Sequence, residues 1–151
     1  RQGLCEFYDG NFERAEEYFI NCYPLTRDNG DMYIAVIYWH LLTLVRLGKD
    51  TGTALAEYSS DIQIGHHVGY LLTCKLFAGE DTLAHFTEST EDADEMTRTL
   101  LLYGVYHYEK MRGKRTAARA ALSEMLDKQT YWGSFAWIAA YGDGKAQGLI
   151  D

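Results

Sequence analysis

The chain has 151 residues, of which 14 are Lys or Arg and 22 are Asp or Glu, so its formal net charge is −8. With 47% hydrophobic residues it has enough apolar material for a folded core, which excludes a disordered tail. The acidic balance argues against a general nucleic-acid binder or a binder of anionic membranes, because both need an excess of basic residues. The length fits one domain.

The cysteines and the hydrophobic pattern point away from a disulfide scaffold and from a membrane protein. Cys5, Cys22 and Cys74 are too few and too widely spaced for a disulfide framework, and we expect each to be a small buried residue. No stretch approaches 18 uninterrupted apolar residues, so we expect no membrane insertion. Arg1 falls inside a helical pattern, and we therefore expect the chain to be part of a longer protein.

A repeated unit of helix, glycine turn and helix runs along the chain. Apolar runs with helical periodicity end at Gly10, Gly48, Gly79, Gly113 and Gly142, which are 38, 31, 34 and 29 residues apart. Glycine adopts the left-handed conformation of a helix C-cap without a Cβ clash. Because one helix pair cannot bury its apolar face alone, the pattern predicts stacked pairs.

The helical pattern covers most of the chain, and no segment alternates with period two for long enough to indicate a strand. The predicted helices are 1–9, 11–23, 31–47, 52–60, 65–78, 81–89, 92–112, 115–127 and 130–141. Small residues expected at the contacts between paired helices are Ala15, Ala54, Ala84 and Ala118. We predict one repeat domain over 1–142 and a loose C-terminal tail over 143–151.

These features resemble the tetratricopeptide repeat (TPR), whose pattern has a glycine turn, an aromatic residue two positions later, and then Ala and an aromatic residue in the second helix. The first repeat matches best, at Gly3, Gly10, Phe12, Ala15, Phe19 and Cys22. Later repeats depart from the pattern, with Asp50 in place of an aromatic residue and Tyr106 in place of a small one. Residues 38–48, followed by a Tyr-rich helix and a final aromatic helix, are similar to the new-lipoprotein-I type of bacterial TPR scaffold.

The resemblance implies an all-α, right-handed helical-repeat solenoid of about four TPR-like pairs with a terminal capping helix. It also implies a non-enzymatic scaffold or adaptor that binds a partner protein or peptide in its concave groove, without cofactor or metal. The inward positions carried over from the family are Tyr38, Arg46, His66, Thr73, Tyr103, His107, Lys110 and Trp132. The resemblance leaves two localisations possible: the cytoplasm or, if the similarity to the lipoprotein type holds, the cell envelope.

The residues themselves show no pattern for catalysis or metal binding. Neither an HExxH motif nor a Gly-x-Ser-x-Gly elbow is present, and no cysteine adjoins a histidine in sequence. We therefore expect that the chain is not an enzyme. The alternative to the scaffold is a structural or regulatory segment of a larger multi-repeat protein whose ligand site lies outside this fragment. Homodimerisation through an uncapped apolar end is a further expectation.

One cluster of basic residues interrupts this acidic chain. Five of the 14 cations fall within ten positions, at Lys110, Arg112, Lys114, Arg115 and Arg119. The plain interpretation is a solvated turn between two helices. The functional interpretation is a local site for an acidic partner segment, with RNA as the weaker alternative.

Overall fold

The structure, a computed structural model, describes residues 2–66, 68–127 and 135–150. Within these ranges the chain forms nine α-helices and no strand, which confirms the all-α prediction. In chain order the helices are α1 (Gln2–Tyr8), α2 (Phe12–Thr26), α3 (Gly30–Leu47), α4 (Gly52–Leu55), α5 (Val68–Phe77), α6 (Leu83–Asp92), α7 (Glu95–Met111), α8 (Arg115–Asp127) and α9 (Phe135–Ala146).

Four of the five predicted glycine turns are confirmed. Each follows a helix and has a φ between 68° and 79°, a conformation that favours glycine, at Gly10, Gly48, Gly79 and Gly113. The fifth, at Gly142, is wrong because α9 continues through this residue to Ala146. The left-handed conformation falls instead at Gly148, with φ 72°.

The predicted helix boundaries are least accurate around α4. The helix predicted over 52–60 is limited to Gly52–Leu55, and the following stretch contains Ser and β-branched residues that favour helices poorly. The end of the loop between α4 and α5 is fixed by the Asp31 carboxylate of α3, which accepts hydrogen bonds from the backbone N–H groups of Gly65 at 3.0 Å and His66 at 3.2 Å. The helix predicted over 130–141 lies partly outside the described residues.

Neighbouring helices pack in an order that follows the sequence. Helix α2 contacts α1 and α3, and α8 contacts α7 and α9. The first helices of the predicted pairs also contact one another, α3 with α5, α5 with α7, and α7 with α9. In addition, α3 contacts α7 directly and α1 contacts α9, so helices that are far apart in sequence also pack together.

Aromatic side chains fill the space where α1, α3 and α7 meet. The Phe7 ring lies 5.3 Å from the Trp39 ring and 6.4 Å from the Tyr103 ring, and the His107 ring lies 4.6 Å from Tyr103. The Phe7–Trp39, Phe7–Tyr103 and Tyr103–His107 pairs are edge-to-face, the arrangement that the ring quadrupole favours. The aromatic content therefore serves packing at the centre of the molecule.

The small residues predicted at helix contacts are mostly buried. Ala15, Ala54 and Ala118 lie in the core. Ala84 is exposed, so that prediction is wrong: the Thr82 cap starts α6 so that Phe86 faces inward, where it contacts a small cluster shared with α5 and α7.

The three cysteines are free, as the spacing predicts, but only one is fully buried. Cys74 lies in the core, Cys22 is half-buried and Cys5 is exposed. The expectation for Cys5 is wrong because α1 buries the opposite face, which carries Gly3 and Phe7.

Candidate functional site

Four of the eight side chains predicted to line a concave groove lie inside the molecule. These four, Tyr38, Thr73, Tyr103 and His107, are 0% exposed. A side chain with no exposed surface does not contact a partner, so for these four the prediction of an open groove is corrected. The physical reason is that α3 contacts α7 and α1 contacts α9 across the surface that the prediction left open.

Two of these buried residues hold helices together. The Tyr38 hydroxyl donates to the backbone carbonyl of Leu100 at 2.7 Å, which links α3 to α7. Thr73 donates to the carbonyl of Gly69 at 2.9 Å, and its methyl group lies against Gly104 of α7. A Cβ added at Gly104 would be only 2.6 Å from the Thr73 methyl carbon, so α5 and α7 approach closely at this point.

Arg46, another predicted groove residue, forms an ion pair with Asp143 of α9. The two side chains are only 12% and 14% exposed. The Tyr103 hydroxyl donates to the second oxygen of the same carboxylate at 2.6 Å. The Arg46 guanidinium also lies 4.9 Å from the centre of the Phe12 ring, within the range of a cation–π contact. Arg46 therefore joins α3 to α9 and is already partnered.

Asp143, the ion-pair partner of Arg46, was not predicted from the sequence, because it was assigned to a loose tail over 143–151. Residues 143–146 belong to α9, so the predicted boundary at 142 is corrected. Burial raises the pKa of the Asp143 carboxyl, and the charge of Arg46 opposes this rise. A signal for the longer helix is present in the sequence: Ala136, Ala140 and Gly144 continue a buried face at intervals of one turn.

The remaining predicted residues do not form a common site. His66 is exposed in the loop before α5, whereas Lys110 is exposed in the last turn of α7. Trp132 lies outside the described residues. Among the predicted residues that the structure describes, Lys110 borders an accessible pocket that has no acidic lining residue.

That pocket has a volume of about 500 Å³ and opens between the end of α7, the start of α8 and the end of α9. Its lining residues, called the basic pocket from here on, are Tyr106, Lys110, Gly113, Arg115, Ala118, Arg119 and Gln147. Gly113 ends α7 and lets the chain reverse, so that α8 begins at Arg115. Because Arg119 follows one helical turn later, the two guanidinium groups lie on one face of α8.

The charges around the basic pocket raise the electrostatic potential at Lys110. Burial lowers the pKa of the Lys110 ammonium, and the positive charges of Arg46 and Arg115 lower it further. The carboxylate of Asp143 acts in the opposite direction. Burial disfavours a charge of either sign, whereas the charges of Arg46 and Arg115 disfavour a cation and favour an anion at this position.

No carboxylate in the described part of the chain forms an ion pair with Lys110, Arg115 or Arg119. Arg112 of the same sequence cluster differs, because it pairs with Glu109 at 2.9 Å. Three other surface pockets each combine cations with acidic residues, namely Arg14 with Glu6 and Glu17, Arg46 with Asp9 and Asp143, and Arg98 with Glu91 and Glu124. The basic pocket is distinguished from these by having no acidic lining residue.

Two neutral residues complete the basic pocket, and sequence reasoning missed both of them. The Gln147 side-chain amide donates to the Tyr106 hydroxyl at 2.7 Å. Tyr106 is only 2% exposed, so this bond fixes the Gln147 side chain at the edge of the pocket. Tyr106 was noted only as a departure from the repeat pattern, and Gln147 follows the predicted end of the domain.

Within the described residues, no three side chains of His, Cys, Asp or Glu are grouped closely enough to hold a metal ion. In the same part of the chain, none of the helices has the length and apolarity needed to span a bilayer. Comparisons with models of known protein families, with curated proteins and with solved structures returned no match. The fold and site therefore define an all-helical chain with a cationic surface pocket.

Proposed function

We propose that this chain is a non-enzymatic protein-interaction module that binds an acidic segment of a partner protein at the basic pocket. The observation that carries the proposal is the grouping of Lys110, Arg115 and Arg119 around one pocket without a paired carboxylate among the described residues. The TPR-like repeat pattern supports a scaffold, and a right-handed solenoid is part of this proposal.

Charge explains why such a site selects its partner. The chain as a whole carries a net charge of −8, so it repels most acidic surfaces at long range. The basic pocket reverses this potential locally, and an acidic segment gains energy only when it reaches that position. A site of this kind contributes to specificity and orientation more than to raw affinity.

The alternative, a structural segment of a larger repeat protein, is favoured by a separate observation on α9. Phe135, Ile138 and Tyr141 are 47%, 42% and 39% exposed and follow one another at three-residue intervals. Such a stripe would suit a further helix or a second copy of the chain. Sedimentation of the wild-type chain and of Ile138→Glu distinguishes self-association, which the substitution would abolish, from a monomer.

Binding of a synthetic Glu-rich peptide, measured by fluorescence anisotropy, tests the proposed function. We expect Lys110→Gln, Arg115→Gln and Arg119→Gln each to weaken binding roughly two- to fivefold, the range for one exposed charge contact. The matched control is Arg14→Gln, which removes an exposed cation of α2 outside the basic pocket. Added salt should weaken wild-type binding. Failure of the peptide to bind at low salt, or equal losses in the control, would contradict the proposal.

A further inference from the structure

The basic pocket is lined by more positive charge than one carboxylate neutralises. Lys110, Arg115 and Arg119 give the lining a formal charge of +3, and no acidic residue offsets it. A Glu or Asp side chain brings one negative charge, whereas a phosphate monoester brings about −1.5 to −2 at neutral pH. The charge balance therefore favours the phosphate group.

The donors also suit phosphate better than carboxylate. Each guanidinium is a planar group that binds two oxygens at once, and Arg115 and Arg119 place two of them on one face of α8. The Lys110 ammonium adds further donors from α7. A phosphate monoester offers three terminal oxygens to this set, while a carboxylate offers two.

The start of α8 carries cations, which the positive end of a helix dipole disfavours. The first turns of α3 and α7 contain Asp31 and Glu95, which interact favourably with the positive end of the helix dipole. The first turn of α8 contains no acidic residue and begins with Arg115, next to Lys114. This arrangement is unfavourable without an anion, and an anion bound in the basic pocket would relieve it.

The pocket also has room for a group larger than a single ion. Its volume is about 500 Å³, and two of its lining residues, Gly113 and Ala118, have little or no side chain. Apart from its two chain neighbours, no described residue has an atom within 4 Å of the position that a Cβ on Gly113 would take. A phosphorylated side chain and its neighbouring backbone fit an opening of this size better than they would fit a flat surface.

We propose that the basic pocket recognises a phosphorylated Ser or Thr side chain within the acidic partner segment, with Arg115 and Arg119 holding the phosphate and Lys110 supporting it. This proposal rests on the proposed function and narrows its ligand. The partner is thus a protein whose binding is switched on by phosphorylation.

Three synthetic peptides of one acidic sequence, carrying Ser, Glu or phosphoserine at the central position, test the proposal by calorimetry with the full chain. We expect the phosphoserine peptide to bind about tenfold more tightly than the Glu peptide, equivalent to about 1.4 kcal/mol. Arg115→Gln and Arg119→Gln should reduce this preference to about twofold or less, whereas Arg14→Gln should retain it. Arg119→Lys keeps the charge but not the paired donors, so it should retain Glu-peptide binding and lose part of the preference.

Melting temperatures of all variants should match that of the wild type, since the substituted side chains are exposed. Equal affinity for the Glu and phosphoserine peptides would overturn the phosphate proposal and leave the acidic-partner function standing. Failure of all three peptides to bind would overturn both. If inorganic phosphate bound as tightly as the phosphopeptide, the proposal that the pocket recognises phosphate on a peptide would be overturned. A single-stranded RNA that bound more tightly, with the same dependence on Arg115 and Arg119, would overturn the protein partner.

Discussion

Tyr103 connects three helices to α7 through one buried side chain. Its ring contacts Phe7 of α1 and Trp39 of α3, and its hydroxyl donates to Asp143 of α9. Burial raises the pKa of Tyr103 well above its usual value, and the nearby Asp143 charge raises it further, so the hydroxyl remains a donor. The family pattern places this residue in a ligand groove, and the contacts give it a structural role.

We expect Tyr103→Ala to lower the free energy of unfolding by about 3–5 kcal/mol, the usual loss for a large buried ring. Tyr103→Phe keeps the ring and removes the donor to Asp143, and should cost about 1–3 kcal/mol. The control Tyr141→Ala removes a ring that is 39% exposed and should cost less, about 1 kcal/mol. Urea unfolding measures all three. A weaker affinity of folded Tyr103→Ala for the acidic peptide, at unchanged stability, would contradict this role.

His40 is a second buried polar residue whose environment has a consequence for pH. Its Nδ1 lies 2.6 Å from the Tyr23 hydroxyl, and its Nε2 has no hydrogen-bond partner in the described part of the chain. Burial lowers the pKa of His40 from 6.5 to about 4. His107 is buried in the same way, and burial also lowers its pKa.

Between pH 6.5 and about 4, the unfolded chain binds a proton at His40 and the folded chain does not. The free energy of unfolding should therefore fall as the pH falls through this window, by at most about 1.4 kcal/mol per pH unit for this residue. His40→Gln should flatten the pH profile of urea unfolding relative to the wild type. His85→Gln, at an exposed position, is the control. An identical slope for His40→Gln and the wild type would contradict the prediction.

At the scale of helices, the closest approach between α5 and α7 depends on Gly104. Because Thr73 occupies the space that a Cβ would need, Gly104→Ala should lower the free energy of unfolding by about 1–3 kcal/mol through overpacking. Gly142→Ala is the matched control, since no described residue outside its own helix has an atom within 4 Å of the Cβ position of this helical glycine. That change should be neutral or stabilising by up to about 1 kcal/mol, because Ala favours helix more than Gly. Thermal unfolding that ranked the two variants in the opposite order would show that the helices approach elsewhere.

At the scale of the whole molecule, the ion pair of Arg46 with Asp143 joins helices that are far apart in sequence. Breaking it from one side leaves a nearly buried charge without its partner, and Arg46→Ala should cost about 3 kcal/mol. A double-mutant cycle with Asp143→Ala should give a coupling energy of about 1–3 kcal/mol.

The exposed pair of Lys49 with Glu16, at 2.7 Å, is the control for this cycle. Its coupling should stay below about 1 kcal/mol, since solvent screens an exposed pair. Both cycles are measured by urea unfolding. Equal coupling energies for the two pairs would contradict the prediction that burial strengthens the ion pair of Arg46 with Asp143.

Part of the candidate site follows from the sequence, because its cations are close together along the chain. Lys110, Arg115 and Arg119 flank one glycine turn, and any helix–turn–helix brings such residues to the same end of the pair. Tyr106 and Gln147 could not be added to them, since the hydrogen bond between these two depends on where α9 ends against α7.

The sequence by itself determined the helices and the four glycine turns, because helical periodicity and the left-handed cap are properties of a few consecutive residues. Only the tertiary structure decided which faces of those helices are accessible. The repeat pattern predicts that Tyr38 and Tyr103 face an open groove. In the structure, contacts between distant segments of α1, α3, α7 and α9 bury both side chains. The extension of α9 and the pairing of Arg46 with Asp143 have the same physical reason. Both are stabilised by contacts with another helix, and a pattern of a few consecutive residues carries no information on such contacts.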